Sequence, residues 1–175
     1  MLSKYKYEID DAFNQPNLEF FNLAHEILIQ RIDEAKQISQ EVLSKPFDFQ
    51  LEEIFNFDIE ELQYVDTRAN LVERWRKLMK VYLIENFHDE IKEDERTFKK
   101  DSTFKARSYS KIEIETREIL NETMADYFVI MEEEFQRQHW FSIYLNSFVS
   151  QYDPNTSYLD PEDRDRSVSY THLTL

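Results

Sequence analysis

Apolar residues at Leu18, Phe21, Ala24, Leu28, Ile32, Ala35, Ile38 and Val42 recur every three or four positions. That spacing places them on one stripe of a helix, which Pro46 stops near Ser44. Asn17 is a good N-cap for it, with Glu19 in the first turn, and Asn14-Gln-Pro-Asn17 forms the turn before it. Upstream, Tyr5, Ile9, Ala12 and Phe13 have helical spacing, so Ser3 to Phe13 reads as the end of an earlier helix.

The pattern then loses its period. Pro46 to Asp58 is aromatic and irregular, with Phe47, Phe49, Leu51, Ile54, Phe55 and Phe57, and is expected to pack over a helix pair. Asp58 can cap a short helix through Tyr64. Helical spacing resumes from about Asp66 or Asn70, with Leu71, Trp75, Leu78, Met79, Tyr82 and Phe87 inward. His88 to Ser110 is strongly charged, with only Ile91, Phe98 and Phe104 as apolar anchors. It reads as a mobile connector whose first part can continue the helix.

Two further helices follow. Ser110 to about Gln136 carries Ile112, Ile119, Leu120, Met124, Phe128 and Met131, and Gln138 to Gln151 buries Trp140, Phe141, Tyr144, Leu145 and Phe148. No turn residue separates them, so periodicity alone could fuse them. No internal repeat is visible. The expected fold is all-α, about five amphipathic helices in an irregular bundle with an aromatic loop and a charged connector. Leu28, Ile32 and Trp75 are its expected core anchors.

Composition narrows the chemistry. The chain has no glycine in 175 residues, where average usage of roughly 7% would supply about twelve. Glycine makes phosphate-cradling loops and tight nucleophile turns, so no P-loop, dinucleotide fingerprint or Gly-flanked serine elbow exists here. The length suits one domain with a real core, and the aromatic content of 15% argues against wholesale disorder. A net charge of −15 disfavours nucleic acid and anionic membranes as partners. Without cysteine there is no disulfide, thiolate chemistry or Cys-ligated metal. No apolar run approaches the roughly 20 residues that span a bilayer. The opening Met1-Leu-Ser-Lys-Tyr-Lys lacks the apolar stretch of a signal peptide.

Candidate sites dissolve one by one. His25-Glu26 would begin a zinc-binding HExxH, but the second histidine position holds Ile29. Glu85-x-x-His88 is half of a di-iron motif, yet Gln136 precedes His139 and Asn22 precedes His25 where a second glutamate is needed. Glu52-Glu53 and Glu132-Glu-Glu134 are what 36 acidic residues produce by chance, and read as solvated faces. Ser44, Ser147 and Ser150 have no base at readable spacing. The aromatic residues read as core, not as a stacking platform for bases. No catalytic residue, cofactor-binding residue or metal ligand is assigned.

The most specific stretch comes late. Asp153-Pro-Asn-Thr-Ser-Tyr-Leu-Asp-Pro161 resembles the Asp-Pro-His-Thr-x-Tyr-Leu-Ser-Pro segment of carboxy-terminal processing peptidases, the tail-specific proteases. Asn17-Leu-Glu-Phe-Phe-Asn-Leu-Ala24, Leu43-Ser-Lys-Pro-Phe-Asp-Phe49, Leu71 through Trp75 and the helix from Trp140 also resemble that family. Asn155 departs from the usual histidine, and the charged connector looks longer than the family minimum. Physically, Asp153-Pro154 ends a helix and Asn155, Thr156 and Ser157 offer hydrogen bonds to a turn, which points to a structural role.

The resemblance implies an N-terminal helical domain over 1–161, truncated at its start, with a helix break near Gln136 to His139. Residues 162–167 would begin a linker to an absent PDZ domain, whose Gly-rich carboxylate loop this chain cannot build. A Ser/Lys protease core would follow. The family further implies a periplasmic or cell-envelope setting, protein substrates, and helical regions that frame the substrate path and dock a helical-repeat adaptor. A free-standing acidic interaction module is the alternative. Val168 to Leu175 reads as translated sequencing adaptor, TCT TAT ACA CAT CTG giving Ser-Tyr-Thr-His-Leu, and is expected to be a disordered, non-native tail.

Overall fold

The computed structural model describes residues 5, 17–58 and 60–161. Among them are four helices and no strand: α1 (Glu19–Leu43), α2 (Arg68–Lys100), α3 (Tyr109–Glu134) and α4 (Arg137–Tyr152). The all-α class is as expected, with four helices in place of about five. The expected helix at Ser3 to Phe13, except Tyr5, and the tail from Val168 lie outside the described residues. The chain divides into two compact units, Asp33–Phe128 and the combination of Met1–Ile32 with Val129–Leu175.

In the unit Asp33–Phe128, α1 supplies Ile38, Val42 and Leu43 to the buried interior, α2 supplies Met79 and Leu83, and α3 supplies Ile112, Leu120, Met124 and Phe128. The buried Thr116 hydroxyl donates back to the Ile112 carbonyl at 2.8 Å, so α3 carries a polar group inside without leaving it unpaired. Trp75 meets Phe128 at 6.1 Å and Phe87 meets Tyr109 at 6.0 Å, so α2 and α3 run antiparallel. Trp75 is only half-buried, as is Leu28; of the three expected anchors Ile32 alone is fully buried. Ile119, expected inside, is exposed.

The charged connector is corrected to a helix over most of its length. Thr67 caps α2 by accepting the Asn70 N–H, and the helix continues to Lys100. Glu, Lys and Arg are strong helix formers, and Lys99 and Lys100 sit favourably at the negative end of the helix dipole. Tertiary support comes from Arg107. Its Nη2 donates to Asp94 Oδ1 at 2.6 Å and to Glu90 at 2.7 Å, its Nη1 to Glu115 at 2.8 Å, and its backbone N–H to Asp94 Oδ2 at 2.7 Å. Asp94 is buried, and the Arg107 side chain holds its carboxyl below the usual range. One arginine thus ties the segment after α2 to α2 itself and to α3.

The aromatic segment packs only in part: Phe47, Phe49 and Phe55 are half-buried, with Phe49 on Phe87 at 5.1 Å, whereas Leu51, Ile54 and Phe57, expected to pack over a helix pair, are exposed. The short helix expected from Asp58 to Tyr64 is a turn closed by Glu61 N–H to the Asp58 carbonyl at 3.2 Å. The Arg74 guanidinium donates to the Gln63 carbonyl at 2.6 Å and so ties this turn to α2. Glu53 anchors the middle of the segment. Its carboxylate accepts from Arg76 and, at 2.7 Å, from Lys80 Nζ, which also donates to the Leu51 carbonyl at 2.6 Å.

In the other unit, Phe21 is fully buried, 5.4 Å from Phe141 and 5.3 Å from Tyr144, with the Arg137 guanidinium 5.2 Å from its ring. Trp140, Phe141, Tyr144, Leu145 and Phe148 are half-buried along α4. The break between α3 and α4 falls at Gln136, whose ψ of 148° leaves the helical region. Two α1 side chains support it. His25 Nε2 lies 2.9 Å from the Phe135 carbonyl, which requires the proton on Nε2, and Arg137 donates to Asn22 at 3.0 Å. No described residue has positive φ or a cis peptide bond. Turns use side chains instead: Asp48, Asn56, Asp58, Asp101 and Asp153 each accept a backbone N–H two residues on.

Candidate functional site

The side chains considered for chemistry are either engaged in structure or exposed on the surface. Ser44, just past α1, and Ser147, on α4, donate to the Glu41 and Tyr144 carbonyls at 2.7 Å each. Ser150 and His88 are exposed, and Glu85 lies on α2 without a metal-holding partner set among the described residues. His25 has its ring stacked on Phe21 at 6.3 Å beside its bond to Phe135. Glu52 is exposed, and Glu53 belongs to the ion cluster with Arg76 and Lys80. Glu133 and Glu134 are exposed and Glu132 half-buried at the end of α3.

The late motif builds a defined geometry. Asp153 caps α4 through its N–H to the Val149 carbonyl, and its carboxylate accepts from Thr156 Oγ1 at 2.6 Å and Asn155 N–H at 2.9 Å. These bonds, that of Thr156 foremost, hold the Asp153 carboxyl below its ordinary value. The turn reverses the chain along α4. Asn146 then grips the Tyr158 backbone on both sides of its Cα: Oδ1 accepts the Tyr158 N–H at 2.7 Å and Nδ2 donates to its carbonyl at 2.9 Å. Tyr158 places its ring edge-on to Phe141 at 6.0 Å, and the buried Asp160 lies 3.8 Å from His139. Asn155 serves the turn chiefly through its backbone N–H, which any non-proline residue supplies, so the departure from histidine leaves this geometry intact.

Replacing Asn146 with Ala should free Tyr158 without unfolding α4. Hydrogen exchange at the Tyr158 amide is expected to rise about tenfold, or ~1.4 kcal/mol, as two net-favourable hydrogen bonds are lost. Unchanged exchange would mean that the aromatic contact alone holds the segment.

The other feature is a groove of about 420 Å³ between α2 and α3, lined by Trp75, Leu78 and Tyr82 on one side and Leu120, Met124 and Tyr127 on the other. Neither Asn146 nor this groove stands out in the sequence. Asn146 lies 12 residues before its partner, and the groove exists only once two distant helices pair.

No curated protein and no solved structure gives a significant match to the chain. A family model described as the tail specific protease N-terminal domain matches residues 1–162. The match ends one residue past the Asp153 to Pro161 motif and so includes its turn and clasp. With nearly the whole length covered, the chain belongs to the tail-specific protease N-terminal domain family.

Proposed function

We propose that this chain is the non-catalytic N-terminal helical domain of a carboxy-terminal processing serine endopeptidase, and that it works by position. The observation that carries this reading is the clasp of Asn146 on Tyr158 within the family-matched region. A chain leaving a helix can continue in any direction, and a two-bond clasp after a carboxylate-capped turn fixes one. In the proposed parent it would aim the following PDZ and Ser/Lys protease domains and frame the path of protein substrates. The helical surfaces would dock a partner such as a helical-repeat adaptor. The parent would reside in the periplasm or cell envelope. No helix among the described residues is long and apolar enough to cross a membrane.

Peptide cleavage needs an activated nucleophile and a preorganised oxyanion site. The purified chain is therefore expected to leave an unstructured peptide with an apolar C-terminus intact, while the full-length parent cleaves it. Turnover that survives repurification of this chain, and disappears on mutating one of its own residues, would overturn the assignment.

A further inference from the structure

The far end of α2 reverses the sign of the chain. From 96 to 111, Arg96, Lys99, Lys100, Lys105, Arg107 and Lys111 stand against one carboxylate, Asp101, although the net charge of the whole is −15. Asp101 is turned onto Thr103, accepting its hydroxyl at 2.6 Å and its N–H at 2.9 Å. Phe87 meets Tyr109 where α3 begins, so α2 runs on past that point to Lys100, about 20 Å at roughly 1.5 Å per residue. Charges in physiological salt are screened over about 8 Å, so a partner at this end meets the local charge and not the net one.

The cations there are arranged. Lys92, Arg96 and Lys99, all exposed, follow i, i+4, i+7 spacing and share one face of α2. The buried Asp94, bonded to Arg107, lies two residues from both Lys92 and Arg96, about 200° round the helix from each. The stripe therefore faces away from the Arg107 cluster. Arg96 has only Glu93, at 3.4 Å in a well-exposed pair of the kind that contributes little. Lys92 and Lys99 pair with no carboxylate among the described residues. Lys99 answers the helix dipole, but that effect is confined to the last turn and does not account for Lys92 or Arg96.

Geometry narrows the partner. Exposed Glu93 and Glu95 border the stripe on either side, and from Glu85 to Lys100 no apolar residue lies on this face. A lipid surface is wider than the stripe, meets both glutamates with the cations, and finds no apolar side chain to take up. A nucleic-acid duplex meets the same glutamates with its phosphates. A single row of carboxylates meets the cations alone. Successive cations are about 6 and 4.5 Å apart along the axis, rises that a second helix repeats, whereas an extended strand repeats its same-face side chains at about 6.7 Å. Upstream on this face stand Glu85 and Asp89. An antiparallel second copy would pair them with Lys99 and Arg96, yet would set Lys92 against its own counterpart, between chains of net charge −15.

We propose that the face of α2 formed by Lys92, Arg96 and Lys99 docks a glutamate- or aspartate-rich helix of a partner protein. This gives the docking role proposed above a face and a partner chemistry, and rests on that reading. The test uses the chain as it stands and a labelled helical peptide of about 18 residues, with Glu at i, i+4, i+7 spacing among alanines. A twin peptide carries Gln at those positions. By fluorescence anisotropy at low salt the Glu peptide should bind at least about tenfold more tightly than its twin, and more weakly as salt rises. Lys92→Glu with Arg96→Glu should weaken it about tenfold, and the milder Lys92→Gln with Arg96→Gln about threefold, with thermal unfolding unchanged. A charge-matched control, Lys45→Glu with Arg68→Glu, lies around Glu41 at the other end of α2 and should leave binding as it was.

Equal affinity for the two peptides, or an equal effect of the control pair, would overturn the proposal. So would a dimer in light scattering that Lys92→Glu with Arg96→Glu dissolves, which would identify a second copy as occupant. Cosedimentation with phosphatidylglycerol vesicles that the same variant abolishes would overturn it in favour of a lipid surface. None of these outcomes bears on the protease assignment, because cleavage by the parent is not the readout.

Discussion

Replacing Phe21 with Ala should cost about 3–5 kcal/mol of stability, the range for a fully buried Phe. That is a large fraction of the 5–15 kcal/mol typical of a folded domain. Phe21 has no exposed surface and touches α4 through Phe141 and Tyr144, with the Arg137 guanidinium over its ring. Truncation removes the apolar transfer energy, the ring-edge contacts and the cation's partner together, and leaves a cavity that helices cannot collapse into cheaply. Urea unfolding followed by circular dichroism checks the value. A cost under about 1 kcal/mol would mean that α4 does not depend on this ring. By contrast Leu28→Ala, at a half-buried position, should fall at the low end of the 2–5 kcal/mol seen for leucine truncations.

Glu53→Ala should cost about 3 kcal/mol, because it strands the Lys80 ammonium in a buried site. The Leu51 carbonyl alone would remain as its partner. The effect should appear first as faster proteolysis of the segment around Phe49 to Phe57, which Glu53 holds to α2. A pH dependence follows from the same contacts. Hydrogen bonds from Arg76, then Lys80, lower the Glu53 pKa from 4.5 to about 2. A carboxylate depressed on folding contributes stability that is complete above its unfolded value and is lost as pH falls through its folded one. The stability difference between the native chain and Glu53→Gln should therefore be constant above pH 4.5 and shrink towards about pH 2. A difference that stays constant across that window would exclude Glu53 as its source.

The helices with apolar stripes were the readable part of the fold. α1 lies within a residue or two of where periodicity and its caps placed it, and so do the start of α3 and the end of α4, because burial of one face is what periodicity records. The second half of α2 has few apolar residues, and its charge looked like a mark of mobility. Its partner is an ionic one, Arg107 reaching back 13 residues to the buried Asp94, and hydrophobic spacing carries no trace of that. The break at Gln136 was beyond periodicity for a related reason. Its supports, His25 and Asn22, lie more than 100 residues upstream. The Asp153 turn was legible because its bonds span only two and three residues, whereas the clasp from Asn146 and the Lys80 site both depend on the assembled fold.

The glycine-free backbone also bears on the state that competes with folding. Glycine has the most backbone freedom to lose on folding, so a chain without it starts from a narrower unfolded ensemble. The described turns are closed at negative φ by Asp and Asn side chains, so this restriction is obtained without left-handed strain. Part of the stability of this domain thus resides in what the denatured chain cannot do. Inserting glycines into its turns would destabilise it while removing no contact that the folded structure displays.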